Sequence, residues 1–208
     1  DDAYPEGTDE VREAIAARHR DYQLGWWHFL QYDAAVPETL RQEARTLGLC
    51  RDEFPETGHW SPQLYIREGR RFFGRRLFTE LSARKDSRVP DAIGLGSYPL
   101  DSHATTLYQP GQRPPAPEGF FMCSTRPYEI PFGIMVPEKV EGLLVSTCVN
   151  ATHAGWGTLR MEPVFCALGQ AAGTDAALAL KHHATPASVD TGLLQQELLK
   201  QGQVLKLP

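Results

Sequence analysis

One stretch of the chain concentrates residue types that do chemistry. Residues 150–161 read Asn-Ala-Thr-His-Ala-Gly-Trp-Gly-Thr-Leu-Arg-Met, a polar turn running into a glycine-punctuated segment. A short apolar strand from Leu143 to Thr147 is expected before it, and a long helix opening at Gly157-Thr158 and running to Lys181 after it. A helix N-terminus presents unpaired N–H groups and partial positive charge. Such a turn could therefore receive an anion or an electron-rich oxygen. The spacing leaves a plainer alternative open, an ordinary strand–turn–helix corner with tight packing. His153, in the same turn, is of the type that gives or takes a proton near neutral pH. Further on, Gly169 and Gly173 stand inside the expected helix, where each costs about 1 kcal/mol relative to alanine. That cost argues for another backbone or a ligand pressing close.

A second constellation is Asp101 with His103, which share one strand face at i and i+2. The pair could bind or relay a proton, or simply decorate that face. A third is the basic run Arg67, Arg70, Arg71, Arg75 and Arg76. Arginine can grip a carboxylate or oxyanion with two donors at once; a solvated basic surface is the competing reading. No metal site is expected, because Cys50, Cys123, Cys148 and Cys166 form no C-x-x-C pair and His103 has no partner at ligand spacing. Cys148 and Cys166 have apolar neighbours and read as buried free thiols. His182 and His183 read as surface punctuation after a helix.

These residues need elements to hold them. Thr8 can cap a helix with Asp9 and Glu10 in its first turn, and Trp26 to Leu30 continue or restart it. Pro37 breaks the chain before a second helix, with Gly48 suited to its end. Residues 1–50 thus form a helical hairpin. Leu64 to Arg67 reads as a strand and Leu77 to Leu81 as a short helix. Ile93 to Leu107 is strand-like and glycine-interrupted, and Gln109 to Gly119 is a proline-rich loop. Phe120 to Cys123 and Tyr128 to Ile130 are short strands, and Thr191 to Lys200 is a closing amphipathic helix.

Composition bounds the function. The 208 residues hold 21 basic and 26 acidic side chains, a formal charge of −5, and 41% apolar residues. That suffices for a core and argues against disorder. The acidic balance disfavours nucleic acid as a partner. No segment reads as a bilayer span or signal core, so a cytoplasmic protein without membrane contact is expected. A hydrolase is disfavoured by the lack of G-x-S-x-G. A non-catalytic carbohydrate- or protein-binding module stays open, because Trp26, Trp27, Trp60, Tyr65 and Trp156 could form an aromatic face.

The segment Leu143 to Gly173, with ATH, R-M-x-P and G-Q-A-A-G in order, resembles the C-terminal flavin-binding stretch of FAD-dependent oxidoreductases related to fumarate reductase and glutathione reductase. Tyr65-Ile66-Arg67-Glu68-Gly69-Arg70-Arg71, Gly96 to His103 and Tyr128-Glu129-Ile130-Pro131 match in the same order, so the resemblance spans about residues 26 to 202. It implies an α+β chain (α/β when complete), with a mainly antiparallel substrate domain over 51–137 and the C-terminal part of an FAD-binding domain over 138–208. It also implies flavin-mediated hydride transfer on a small substrate. Asn150, Ala151, Thr152 and the backbone of Thr158, Leu159, Arg160 and Met161 would meet the flavin. His153, Arg71 and His103 would serve catalysis, and Arg67 and Asp101 would hold substrate. The family's G-x-G-x-x-G turn is missing, because Gly94-Leu95-Gly96 is followed by Pro99 at the next glycine position. The start at Asp1 therefore reads as a cut. A missing N-terminal half or partner chain is expected to complete the FAD site.

Overall fold

The computed structural model describes residues 3–85, 88–103 and 119–207. The expected loop at 109–118 and the end of the strand-like run at 104–107 lie outside the described residues. The chain divides into two compact units, Asp1–Gly69 and Arg70–Pro208. Residues 51–69 thus fold with the helical pair, and residues 70–137 fold with the C-terminal segment.

In the first unit, α1 (Asp9–Tyr32) starts where Thr8 accepts the N–H of Val11, and it runs unbroken through Trp26 and Trp27. Helix α2 (Glu38–Arg45) follows Pro37. The Gln31 side-chain amide donates to Ala44 O at 3.0 Å, and Arg45 Nε donates to Gln31 O at 2.9 Å, closing the hairpin. Gly48 is not the expected terminator; α2 stops at Arg45 and Thr46 caps it. Leu64 to Arg67 is not a strand, because no neighbouring strand pairs with it.

The second unit is a mixed α+β assembly. Among the described residues it holds α3 (Glu80–Arg84), β1 (Ala92–Gly96), β2 (Leu100–Ser102), β3 (Phe121–Cys123), β4 (Tyr128–Pro131), α4 (His153–Leu159), α5 (Glu162–Lys181) and α6 (Thr191–Lys200). Two antiparallel pairs form, β1 with β4 and β2 with β3. The core joins Phe78, Ile93, Tyr128, Ile130, Ile134 and Met135 to Leu159 and Leu168 of α4 and α5 and to Leu194 and Leu198 of α6.

Three further expectations are corrected. Leu143 to Thr147 forms no strand; Val145 N–H donates to Met135 O at 2.9 Å and Leu144 packs against the core. The helix expected from Gly157-Thr158 to Lys181 is two helices, because Pro163 lacks an N–H and its ring excludes a continuous helix from Leu159 onward. Helix α4 begins four residues earlier than expected, at His153. All four cysteines are free, but exposed rather than buried. Helix α5 is also long and apolar enough, by length and composition alone, to meet the criterion for a membrane span. Its Val164, Leu168, Ala171 and Leu178 pack into the core, as in a core helix.

Two buried carboxylates respond oppositely to pH. Burial pushes Glu129 up, but the N–H groups of Val89 and Leu207 and the Lys206 ammonium outweigh it and hold its pKa below the usual range. Asp175, on α5, is 0% exposed, and neither carboxylate oxygen has a hydrogen-bond partner among the described residues. Burial raises its pKa from 3.8 to about 6. The folded state therefore binds the proton more tightly than the unfolded chain, so this group's contribution to stability falls as pH rises between those values. Asp175→Asn should flatten that slope and stabilise the protein at neutral pH by about 1 kcal/mol, less than the shift alone implies because the buried amide is also left unpaired. Urea unfolding across that pH range reads it, and an unchanged slope would refute it.

Candidate functional site

The site is assembled where the chain between Gly74 and Phe78 runs beside residues 150–152. Phe78 N–H donates to Asn150 O at 3.0 Å, and Thr152 N–H donates to Phe78 O at 2.9 Å. The buried Asn150 amide adds bonds to Gly74 O and Arg76 O, both at 3.0 Å. Phe72 N–H reaches Cys148 O at 3.4 Å, so the half-buried Arg71 stands beside the same segment. This stitching aims residue 152 into α4, and Thr152 caps that helix by accepting Gly155 N–H at 3.1 Å.

Helix α4 then lies directly on two backbones. A Cβ added at Gly155 would stand 2.6 Å from Phe78 O, and one at Gly157 2.7 Å from Asp101 O. Glycine is required at both positions for this approach, and Gly157 sets α4 on β2. The contact brings two clusters into register.

In the first, Ser102 Oγ lies 2.7 Å from His153 Nε2 and 2.8 Å from Gly119 O. A carbonyl can only accept, so the hydroxyl hydrogen goes to Gly119 O and Nε2–H of His153 donates to Oγ. Phe121 meets the imidazole edge-on, with centroids 6.2 Å apart. Ser102 is 3% exposed, whereas the His153 ring is exposed. An exposed histidine is thus anchored to a buried hydroxyl.

In the second, Arg160 Nη2 donates to Asp101 Oδ2 at 2.9 Å and to Asp101 O at 3.3 Å. Tyr98 OH and His103 Nε2 each lie 3.5 Å from the same carboxylate oxygen. Asp101 and His103 therefore do meet across one strand face, with an arginine behind them. Below them, Thr158 is fully buried; its hydroxyl donates to Tyr98 O and accepts from Tyr128 OH at 2.7 Å. Burial pushes the Tyr128 phenol well above its ordinary pKa, so it stays a neutral donor.

The structure thus gathers His153, Asp101, His103, Arg160 and Thr158, and places Asn150, Ala151 and Thr152 in the stitching that precedes them. Arg67 belongs to the first unit, its guanidinium over the Tyr65 ring at 5.7 Å. The N–H groups of Arg160 and Met161 already bond to Trp156 O and Leu159 O. Sequence reasoning missed Ser102 and Tyr98 as participants. Both lie inside the quoted Gly96 to His103 segment, but nothing in their type or spacing marked them.

A family model described as FAD dependent oxidoreductase matches residues 2–198. No curated protein and no solved structure matches the chain. With that match covering nearly its whole length, the chain belongs to the FAD dependent oxidoreductase family.

Proposed function

We propose that this chain supplies the ring-facing and substrate-facing part of a flavoenzyme that transfers hydride to or from a small substrate, with His153 handling the accompanying proton. The observation that carries the reading is the exposed His153 ring held by buried Ser102, beside a buried Asp101–Arg160 pair, in a chain of this family.

FAD has two ends, and the residues present fit one of them. A pyrophosphate cradle needs a glycine turn opening onto a helix N-terminus. Gly94-Leu95-Gly96 instead lies in β1, paired antiparallel with β4, with Gly96 pressed against the Tyr128 ring. The ring end needs polar groups and a proton-handling side chain, which the His153 and Asp101 clusters provide. Bound flavin would supply the two-electron chemistry. Asn150, Ala151 and Thr152 would line its ring, whereas the Arg160 and Met161 N–H groups are already taken by Trp156 O and Leu159 O. Arg71, His103 and Asp101 would orient a small substrate through charge. His153 would hold or release a proton at its imidazole, in the tautomer that Ser102 sets. The nucleotide end would come from an N-terminal half or a partner chain, in a cytoplasmic setting.

Coexpression with the upstream nucleotide-binding segment is expected to give a yellow protein with near-stoichiometric FAD, and a colourless product would sink the reading. In that flavoprotein, His153→Gln should keep the visible spectrum but shift the flavin's reduction potential at pH 7, and Ser102→Ala should shift it less, through the released ring. An unchanged potential in both variants would remove His153 from the flavin's surroundings.

A further inference from the structure

We propose that the first unit carries a separate ligand site, a cleft that binds a neutral saccharide. A cleft of about 790 Å³ opens between α1 and the segment that follows α2, and every residue lining it belongs to Asp1–Gly69. That size lies in the ordinary range for small-molecule sites. None of its residues belongs to the His153 cluster.

One wall is a face of α1. Glu13, Arg20 and Gln23 recur there at helical spacing, with Ala16 and Ala17 between them leaving room. The opposite wall carries Trp60, half-buried, and Tyr65, 66% exposed. The Arg67 guanidinium lies over the Tyr65 ring and steadies it. Planar hydrogen-bonding side chains lining the same cleft as aromatic rings suit a ligand with hydroxyls around its edge and a C–H face. Glu13 and Glu53 against the single Arg20 leave at most one net negative charge, which disfavours an anion without demanding a cation, and so many polar groups disfavour a purely apolar ligand.

The wall is also held in a costly shape. Phe54 and His59 both line the cleft with positive φ, 50° and 66°, a region that residues bearing a Cβ seldom adopt. His59 N–H bonds to Phe54 O at 2.8 Å, and His59 Nδ1 lies 2.9 Å from Glu53 O, fixing the turn. Such strain concentrates where a binding surface must be preformed.

The test is titration of the 208-residue chain, without flavin, with maltotriose, cellotriose and xylotriose, followed by heat and by tryptophan emission. At least one should saturate at millimolar concentration and change the emission. Tyr65→Ala should weaken binding about tenfold and Gln23→Ala several-fold; both positions are exposed, so circular dichroism should be unchanged. Saturation by none of the three, or wild-type binding in both variants, would overturn the proposal. Neither result bears on the flavin reading, whose test is the colour of the coexpressed protein.

Discussion

Arg160→Ala is expected to cost about 3–5 kcal/mol of folding stability, because it leaves a buried carboxylate without its cation. The side chains of Arg160 and Asp101 are 7% and 8% exposed, and the bond between them is 2.9 Å, so solvent screens the pair little. Arg160 also donates to the Asp101 carbonyl, and its removal would leave that β2 acceptor without its donor as well. His103 and Tyr98 remain at 3.5 Å, too distant to replace the lost donor. Lysine brings one ammonium where two acceptors sit on one guanidinium nitrogen's reach, so Arg160→Lys should recover only part of the loss. The double variant Asp101→Leu with Arg160→Met removes both charges together and should be far less damaged than Arg160→Ala alone. Urea unfolding of the four proteins reads all of this. A loss under about 1 kcal/mol for Arg160→Ala would place the pair with weak surface ion pairs instead.

Local rules made much of this chain legible. Thr8 with Asp9 and Glu10 marked the start of α1, and the amphipathic run from Thr191 to Lys200 marked α6. Cap chemistry and 3.6-residue periodicity act within one turn, so a single sequence carries them. Leu143 to Thr147 and Leu64 to Arg67 look like strands by the same local rules, yet form none. A strand needs a partner edge, and its hydrogen bonds are made by residues elsewhere in the chain. The break between α4 and α5 was legible in principle, since Pro163 cannot sit inside a helix; the small-residue run after it suggested continuity instead. The clusters follow the same division. Asp101 and His103 meet as their i, i+2 spacing predicts. Ser102 becomes the anchor of His153 only through a contact 51 residues apart in sequence, which no local pattern announces.

The glycines divide into two groups with opposite expected effects, and that contrast tests how α4 is seated. At Gly157 a new Cβ would stand 2.7 Å from Asp101 O and 3.0 Å from Asp101 N, both backbone atoms that cannot swing aside. Relief would require α4 to lift off β2, so Gly157→Ala should cost about 3 kcal/mol, at the upper end of overpacking penalties. The lift would also part His153 from Ser102 and Arg160 from Asp101, coupling the stability loss to loss of the site. Gly155→Ala should behave alike, against Phe78 O at 2.6 Å. Gly169 and Gly173, the pair expected to mark a close approach, have nothing within 4 Å of an added Cβ among the described residues. There alanine gains helix propensity without a clash, and each substitution should stabilise the chain by up to about 1 kcal/mol. Thermal unfolding of the single variants decides the contrast: a stable Gly157→Ala would mean that α4 is not seated on β2.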